Sequence, residues 1–474
     1  MEIIKNINDA VNSVVWGVPM LILIIGTGIY FSFRLGFFQL FRFKHVLKST
    51  IFSAFGKKKD KNRNALTPFQ AMSTALAATI GTGNIAGVAS AVAIGGAGAV
   101  FWMWVSAFFG MMTSFAENVL GVYYRKRNEK GEWSGGAMYY IGEGLKNKKL
   151  AKVLSVLFAV FCVLASFGIG NMSQVNSIAA SLESAFNIPP AAVGIVLAVI
   201  VGFILVGGVK RIGAVAEKIV PFMALLYILL TLSVVIVNIK AIPEVFSSIF
   251  KGAFGIDAVA GGISGALIKE AVTLGFKRGV FSNEAGLGSG VIVNSTADVK
   301  EPVEQGMWGI FEVFFDTIVV CTLTAFTVLT TGVHKISDAE GAALVGEAFA
   351  QVFTSSAGAV VAVSITLFAF TTVLGWAFYG SKCLEYLFGN KAVTVYKIIY
   401  SLMLIVGSSM NLTLALEISD TLNALMAIPN LIGVLLLSGT VVKITRNYID
   451  RKIKNKKVSP MLSAYTEIQF EMEE

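Results

Sequence analysis

The sequence predicts an all-α polytopic membrane protein, and three observations carry that reading. Of 474 residues, 55% are hydrophobic and only 14% are charged, against about 25% charged in a soluble domain. Mean hydropathy is +0.74. Apolar runs alternate with short basic loops from one end of the chain to the other. At roughly 22 residues per crossing, the apolar residues suffice for about eleven spans, which leaves no room for a large soluble domain. The composition excludes disorder, collagen and coiled coil. Alternating ten-residue strands are not visible, which argues against an outer-membrane barrel. The 47 glycines suit close helix packing in lipid.

Eleven apolar segments follow in order: 13–34, 67–94, 97–124, 150–185, 190–209, 213–239, 257–290, 304–332, 352–384, 392–412 and 417–444. The first reads as a retained span, because it lacks a basic leader and a small-residue cleavage site. Every second loop is basic. Lys44, Lys48, Lys57, Lys58, Lys59, Lys61 and Arg63 follow the first span, and Arg125, Lys126, Arg127, Lys146, Lys148 and Lys149 follow the third. Lys210 and Arg211, then Lys277, Arg278 and Lys300, then Lys382 and Lys391 continue the pattern, and the tail adds Arg446, Arg451 and Lys452. Intervening loops are short or carry Asp338, Glu340 and Glu347. The positive-inside rule then places the N-terminus outside and the C-terminus in the cytoplasm of a plasma (inner) membrane. The net charge of +9 is thus an orientation signal, and no nucleic-acid partner is expected. Cys162, Cys321 and Cys383 lie in apolar runs at no metal spacing.

Two segments look broken. The second carries Ile80-Gly81-Thr82-Gly83-Asn84-Ile85-Ala86-Gly87 near its middle, a poor helix interior. Unwound backbone at membrane depth is tolerated where it lines a cavity or is buried in protein; the competing reading is a small-residue packing face. The seventh carries Thr273-Leu274-Gly275-Phe276-Lys277-Arg278-Gly279 and ends in Ser282-Asn283-Glu284-Ala285-Gly286-Leu287-Gly288-Ser289-Gly290. There the competing reading is an ordinary helix whose basic residues mark its cytoplasmic end.

The arrangement of the breaks matters more than either alone. Setting the first span aside, spans two to six and seven to eleven make two groups of five. Five is odd, so the groups run in opposite directions, and each break lies in the first helix of its group. Interrupted segments at matching places in inverted halves point to a secondary transporter's binding site. The expected organisation is 1–66 (extra helix and basic loop), 67–242 and 243–445 (two five-helix repeats) and 446–474 (cytoplasmic tail). Freed N–H groups at a half-helix start favour an anion such as a carboxylate, and freed carbonyls favour a small cation. Such a site suits a zwitterion with a cation, for which an amino acid is the obvious solute; a sugar or nucleobase fits the same scaffold.

The segment Gly95-Gly96-Ala97-Gly98-Ala99-Val100-Phe101-Trp102-Met103-Trp104-Val105-Ser106 resembles the signature of the alanine or glycine:cation symporter family, within the amino acid–polyamine–organocation superfamily. Gly135-Gly136-Ala137-Met138-Tyr139-Tyr140 and Ser282-Asn283-Glu284-Ala285-Gly286 add to the likeness, which runs from the first span to the last. The resemblance implies the five-plus-five inverted repeat of the bacterial leucine transporter, preceded by one extra helix. It also implies sodium-driven import of small neutral amino acids such as L-alanine and glycine, with sodium as coupling ion and no organic cofactor. By the same resemblance, Gly81 to Asn84 supply the first break, Thr273-Leu274-Gly275-Phe276 stands where the fold has Ser-Leu-Gly-Phe, and Thr371-Thr372 is the paired hydroxyl of the cation site.

Sodium selects oxygen ligands. The expected set is the carbonyls of Ala77, Ile80 and Phe368 with the hydroxyls of Thr371 and Thr372. The competing reading is that these threonines bond their own i−4 carbonyls. A second cation near Thr79 and Asn84 fits the same break. The substrate carboxylate is expected on the N–H groups of Thr82, Gly83 and Asn84, with Thr79 beside them. The amino group is expected on Thr273 and the backbone at Gly275 and Phe276. Trp376, four residues after Thr372, shares its helical face and is expected to cap a small side chain; otherwise it is an interfacial aromatic. Phe167, Asn171 and Gln174 share a face at helical spacing, and such amides either join helices or touch a solute. Of the intramembrane charges Glu117, Lys269, Glu270, Glu312 and Asp316, the Lys269-Glu270 pair stands closest before the seventh-segment interruption. It reads as functional or as a structural ion pair.

Competing classes are weaker. Proton coupling needs a titratable group at the cation site, with Lys269 the candidate. A channel predicts a symmetric filter. An enzyme predicts motifs such as HExxH or a phosphate loop, which the sequence lacks.

Overall fold

The structure is a computed structural model that describes residues 2–54, 65–255, 264–410 and 413–473. Lys57, Lys58, Lys59, Lys61 and Arg63, the start of the seventh segment and the end of the tenth lie outside the described residues.

The chain is built of helices: α1 (Glu2–Val15), α2 (Val18–Arg34), α3 (Pro68–Thr79), α4 (Val88–Gly95), α5 (Gly98–Tyr123), α6 (Ala137–Gly144), α7 (Lys148–Phe167), α8 (Ser173–Phe186), α9 (Pro190–Val206), α10 (Gly208–Val237), α11 (Ile242–Phe254), α12 (Ser264–Asn283), α13 (Gly290–Asn294), α14 (Pro302–Val313), α15 (Thr322–Thr331), α16 (Gly341–Phe353), α17 (Ala357–Phe388), α18 (Asn390–Ser409), α19 (Thr413–Leu436), α20 (Ser438–Tyr448) and α21 (Thr466–Glu473). A two-stranded antiparallel ribbon, β1 (Lys126–Arg127) with β2 (Trp133–Ser134), lies between α5 and α6. Among the described residues, eight helical segments are long and apolar enough to cross a membrane, and a ninth arises if α3 and α4 form one bent span. The other two expected segments are also helical but fall short of that standard. Pro190–Val206 has only 17 residues, and α12 carries Lys269, Glu270, Lys277 and Arg278.

Apolar side chains face outward as well as inward. On α9 and α10, Val199, Phe203, Val206, Phe222, Leu225, Leu229 and Ile236 are exposed, which suits contact with lipid tails. Inside, α5 is the axis of the bundle and packs along α12 and α14. The second contact of interest is α17 against α3. Its closeness depends on Gly375, where an added Cβ would lie 2.6 Å from that of Ala78.

α3 starts with a capping box. Thr67 Oγ1 accepts from Gln70 N, Gln70 Oε1 accepts from Thr67 N, and Pro68 takes the first turn, where a missing N–H costs nothing. The helix stops at Ile80, whose backbone turns extended. A π-helical turn over Gly83–Gly87 then continues into α4, and this half is bent by 55° from α3. This break agrees with the sequence.

The seventh-segment interruption does not stand where it was expected. α12 runs unbroken through Thr273 to Gly279. Gly275 and Gly279, one turn apart, are packing positions against α5: added Cβ atoms would lie 2.5 Å from Ala99 O and 3.0 Å from Ser106. The chain leaves the helix at Glu284, which sits at φ 55°, and Gly286 and Gly288 also take positive φ before α13. Lys277 and Arg278 therefore lie inside a helix rather than in a basic loop. Lys277 pairs with Asp420 at 3.3 Å.

Candidate functional site

The two breaks meet in one cleft. It is lined by Ala78, Thr79, Gly81, Thr82 and Gly83 from the first break, Phe281 and Glu284 from the second, Ile169 and Gln174, and Thr372 and Trp376 of α17. Its volume is about 20 Å³, room for little more than a water. The walls come close because Gly170 lies against Trp376, with an added Cβ only 2.1 Å from the tryptophan's own.

Acceptor oxygens converge on one side of this space. Thr372 Oγ1 donates to Phe368 O at 3.0 Å and approaches Ile80 O at 3.4 Å. Thr371 Oγ1 donates to the same Phe368 carbonyl at 2.9 Å. These bonds are the local ones that mid-span threonines favour, yet Thr372 also spans to the broken helix. All four residues are buried, as is Ala77. Gln174 donates to Ile169 O at 3.0 Å, and its Oε1 has no partner among the described residues. Glu284 contributes a buried carboxylate that accepts from Ser289 Oγ and forms no ion pair among the described residues.

A second carboxylate braces both breaks from behind. Asp316 lies in a π-helical stretch, Phe314–Cys321, between α14 and α15. Its Oδ1 accepts from Asn84 Nδ2 at 2.7 Å, and its Oδ2 accepts from Ser282 Oγ at 2.7 Å and Thr317 Oγ1 at 3.0 Å. Asn84 Oδ1 in turn accepts from Gly81 N at 2.9 Å, the N–H that a continuous helix would give to Ala77. One carboxylate thus fixes the broken second segment, the end of α12 and the eighth segment together.

Several expected site residues lie elsewhere. Asn84 is fully buried, its side chain faces Asp316, and its N–H donates to Gly81 O. It builds the break rather than lining the cleft. Thr273, Gly275 and Phe276 lie on the stretch of α12 that packs against α5, where the Phe276 ring is 5.5 Å from that of Trp102. Phe167 packs edge-on against Tyr396 and tilted against Tyr400, and Asn171 Nδ2 donates to Tyr400 O at 2.7 Å. A π-helical turn at Gly168–Met172 inserts a residue, so Asn171 and Gln174 no longer share one face. Lys269 and Glu270 are exposed and stand about four turns before the actual break, so Lys269 is no group of the cation site. Ile169, Phe281 and Glu284 are cleft residues that helical spacing did not pick out. The glycines on either side of Leu287 are the sequence signal that would have moved the break to Glu284.

The sodium:alanine symporter family model matches residues 1–462. The sodium/alanine symporter AgcS of Methanococcus maripaludis is 46% identical over 452 residues, which cover 94% of this chain and 98% of that protein. The probable sodium/glutamine symporter GlnT of Bacillus subtilis is 37% identical, covering 96% and 93%. In crystal structures, a manganese transporter of Eremococcus coleocola shares the fold, with a TM-score of 0.52 and 11% identity over 88% of this chain and 85% of that one. With the family model spanning nearly its whole length, and a relative this similar along nearly all of both chains, the protein belongs to the sodium:alanine symporter family.

Proposed function

We propose that the protein is a sodium-coupled symporter that imports alanine, glycine or similarly small neutral amino acids by alternating access, across a plasma (inner) membrane with the N-terminus outside. The observation that carries this reading is the convergence of Thr372 Oγ1 on the Ile80 and Phe368 carbonyls beside a cleft formed by both breaks. Sodium binds there, with the Ala77 carbonyl and Thr371 hydroxyl completing the oxygen set. It ties α17 to the broken helix and orders the first break. When the cleft opens beyond its present volume of about 20 Å³, the amino acid lies across it with its carboxylate on the Thr82 and Gly83 N–H groups, its ammonium toward Glu284 and Gln174 Oε1, and its side chain under Trp376. Glu284 replaces Thr273 as the ammonium partner because it lines the cleft. The halves 67–242 and 243–445 act as inverted repeats, and the core rocks to open the site inward. Membrane potential adds about 2.3 kcal/mol per charge per 100 mV to inward sodium movement.

A second reading is proton coupling. It is favoured by the buried carboxylates Asp316 and Glu284 at the two breaks. Labelled L-alanine uptake into liposomes under sodium, potassium or proton gradients separates the readings. Uptake with sodium alone is expected. Uptake with a proton gradient alone assigns the coupling to the carboxylates. Replacing both Thr371 and Thr372 by Ala is expected to raise the sodium concentration for half-maximal uptake, and an unchanged value removes the threonine site.

A further inference from the structure

The chain after α20 turns back under the bundle. Asn447 Oδ1 accepts from Met461 N at 3.2 Å, Asn447 Nδ2 donates to Ser459 O at 2.8 Å, and Ala464 N donates to Tyr123 O at the end of α5 at 2.9 Å. The tail holds its own shape through Gln469, which joins the N–H groups of Leu462 and Ser463 to the Pro460 carbonyl. Leu462 and Met472 then bury themselves on Trp133, with Ala65 and Ile468 alongside, in an apolar cluster separate from the core.

What lies under the tail is the seam between the two broken segments. Leu66, one residue before the cap of α3, pairs with the stretch that follows α13: its N–H donates to Thr296 O at 3.3 Å and its carbonyl accepts from Asp298 N at 2.7 Å. Buried Arg125 clamps the same stretch from below, donating to Ser295 O, Ala297 O and Val299 O at 3.1, 2.6 and 2.6 Å. Its guanidinium lies 4.1 Å from the Trp133 ring centroid, and that of Arg127 lies at the same distance from it. Arg127 reaches on to Glu471 of the tail at 2.5 Å. Arg451 grips Glu301 with two hydrogen bonds of 2.7 and 2.8 Å, just beyond the seam. The tail therefore meets the approach to α3 in the cluster with Ala65, and reaches the exit from α13 through Trp133 and the Arg125 guanidinium beneath it. It does so across a cavity of about 640 Å³ that reaches Pro68, Asp298, Leu462 and Met472. A segment that walls one side of an open cavity gives up less packing on leaving than a segment of solid core.

We propose that residues 458–473 form a latch that holds the tail-side ends of α3 and α13 together, so that release of the tail regulates opening of the transport site on that face. The proposal rests on alternating access at the two breaks. Parting of these half-helices breaks the Leu66 pairing, and a docked tail opposes it with the Trp133 cluster and the Arg127–Glu471 contact.

The test uses the full chain in liposomes, a truncation that removes 458–474, and the milder double variant L462A/M472A. Each is made with and without T296C, a buried position under the seam, since the native cysteines Cys162, Cys321 and Cys383 are all buried. Labelling of T296C by a water-soluble maleimide is expected to quicken about tenfold when the apolar cluster is lost, and the maximal rate of sodium-driven alanine uptake is expected to rise. Unchanged labelling in protein that still elutes as a folded species overturns the latch, as does slower uptake with unchanged labelling. Labelling needs no substrate, so a wild-type protein that fails to carry alanine refutes the transport assignment without deciding the latch.

Discussion

Replacing Gly81 by Ala tests whether the first break and α17 share one ligand set. The added Cβ would lie 2.6 Å from Thr372 Oγ1 and 3.5 Å from Gln174 Oε1. The first distance is too short for contact, and Thr372 has little room to yield because its hydroxyl is held by Phe368 O at 3.0 Å and its helix is pressed on Ala78 through Gly375. The methyl must push the hydroxyl away from Ile80 O. Overpacking of this kind costs about 1–3 kcal/mol. If the cost falls on the cation-bound state, sodium affinity drops by about 5- to 150-fold. The assay is alanine uptake in liposomes against sodium concentration, for G81A, T372A and the double variant. Because T372A removes the atom that the methyl strikes, the double variant is expected to resemble T372A alone, a strong departure from additivity. Fully additive losses, or an unchanged sodium requirement in G81A, refute the shared site.

Three further outcomes follow from the same geometry. E284Q keeps the shape of the side chain but removes its charge; it is expected to raise the alanine KM at least tenfold with the sodium requirement little changed, and a shift in sodium alone contradicts the ammonium role. D316A leaves Asn84 and Ser282 without their shared acceptor; a buried donor left unpaired costs about 1–3 kcal/mol, so lower thermal stability and loss of uptake are expected, and near-wild-type uptake shows the brace to be dispensable. W376A opens the wall at Gly170 and is expected to admit a larger neutral amino acid such as glutamine in competition assays, whereas an unchanged substrate range removes Trp376 as the lid.

Much of this was legible in the sequence because membrane burial writes itself as long apolar runs. The first break was legible too, since three glycines and an asparagine within seven residues make a poor α-helix interior. The second was misplaced because a glycine has two meanings. Gly275 and Gly279 recur at one-turn spacing and serve close packing on α5, while Gly286 and Gly288 take positive φ and end the helix. Nor does a strict 3.6-residue period allow for π-helical turns. Those at Gly168–Met172 and Phe314–Cys321 turned Asn171 toward Tyr400 and Asp316 toward both breaks. The tail looked like a plain charged terminus, because its anchors are single residues, Leu462, Glu471 and Met472, whose partners lie some 330 residues or more away in sequence. Lys269 illustrates the converse: a charge close to an apparent break in sequence is exposed once the helix runs on.

The central claim is that cation and amino acid bind across the same break, with Thr372 in contact with both halves of the site. The most direct measurement is equilibrium alanine binding to the purified protein by calorimetry over a range of sodium concentrations, for wild type and T372A. Linkage requires each ligand to strengthen the other equally. Wild-type affinity for alanine is expected to rise with sodium, and that dependence is expected to flatten in T372A. Alanine binding that is intact and indifferent to sodium in the wild type contradicts the account.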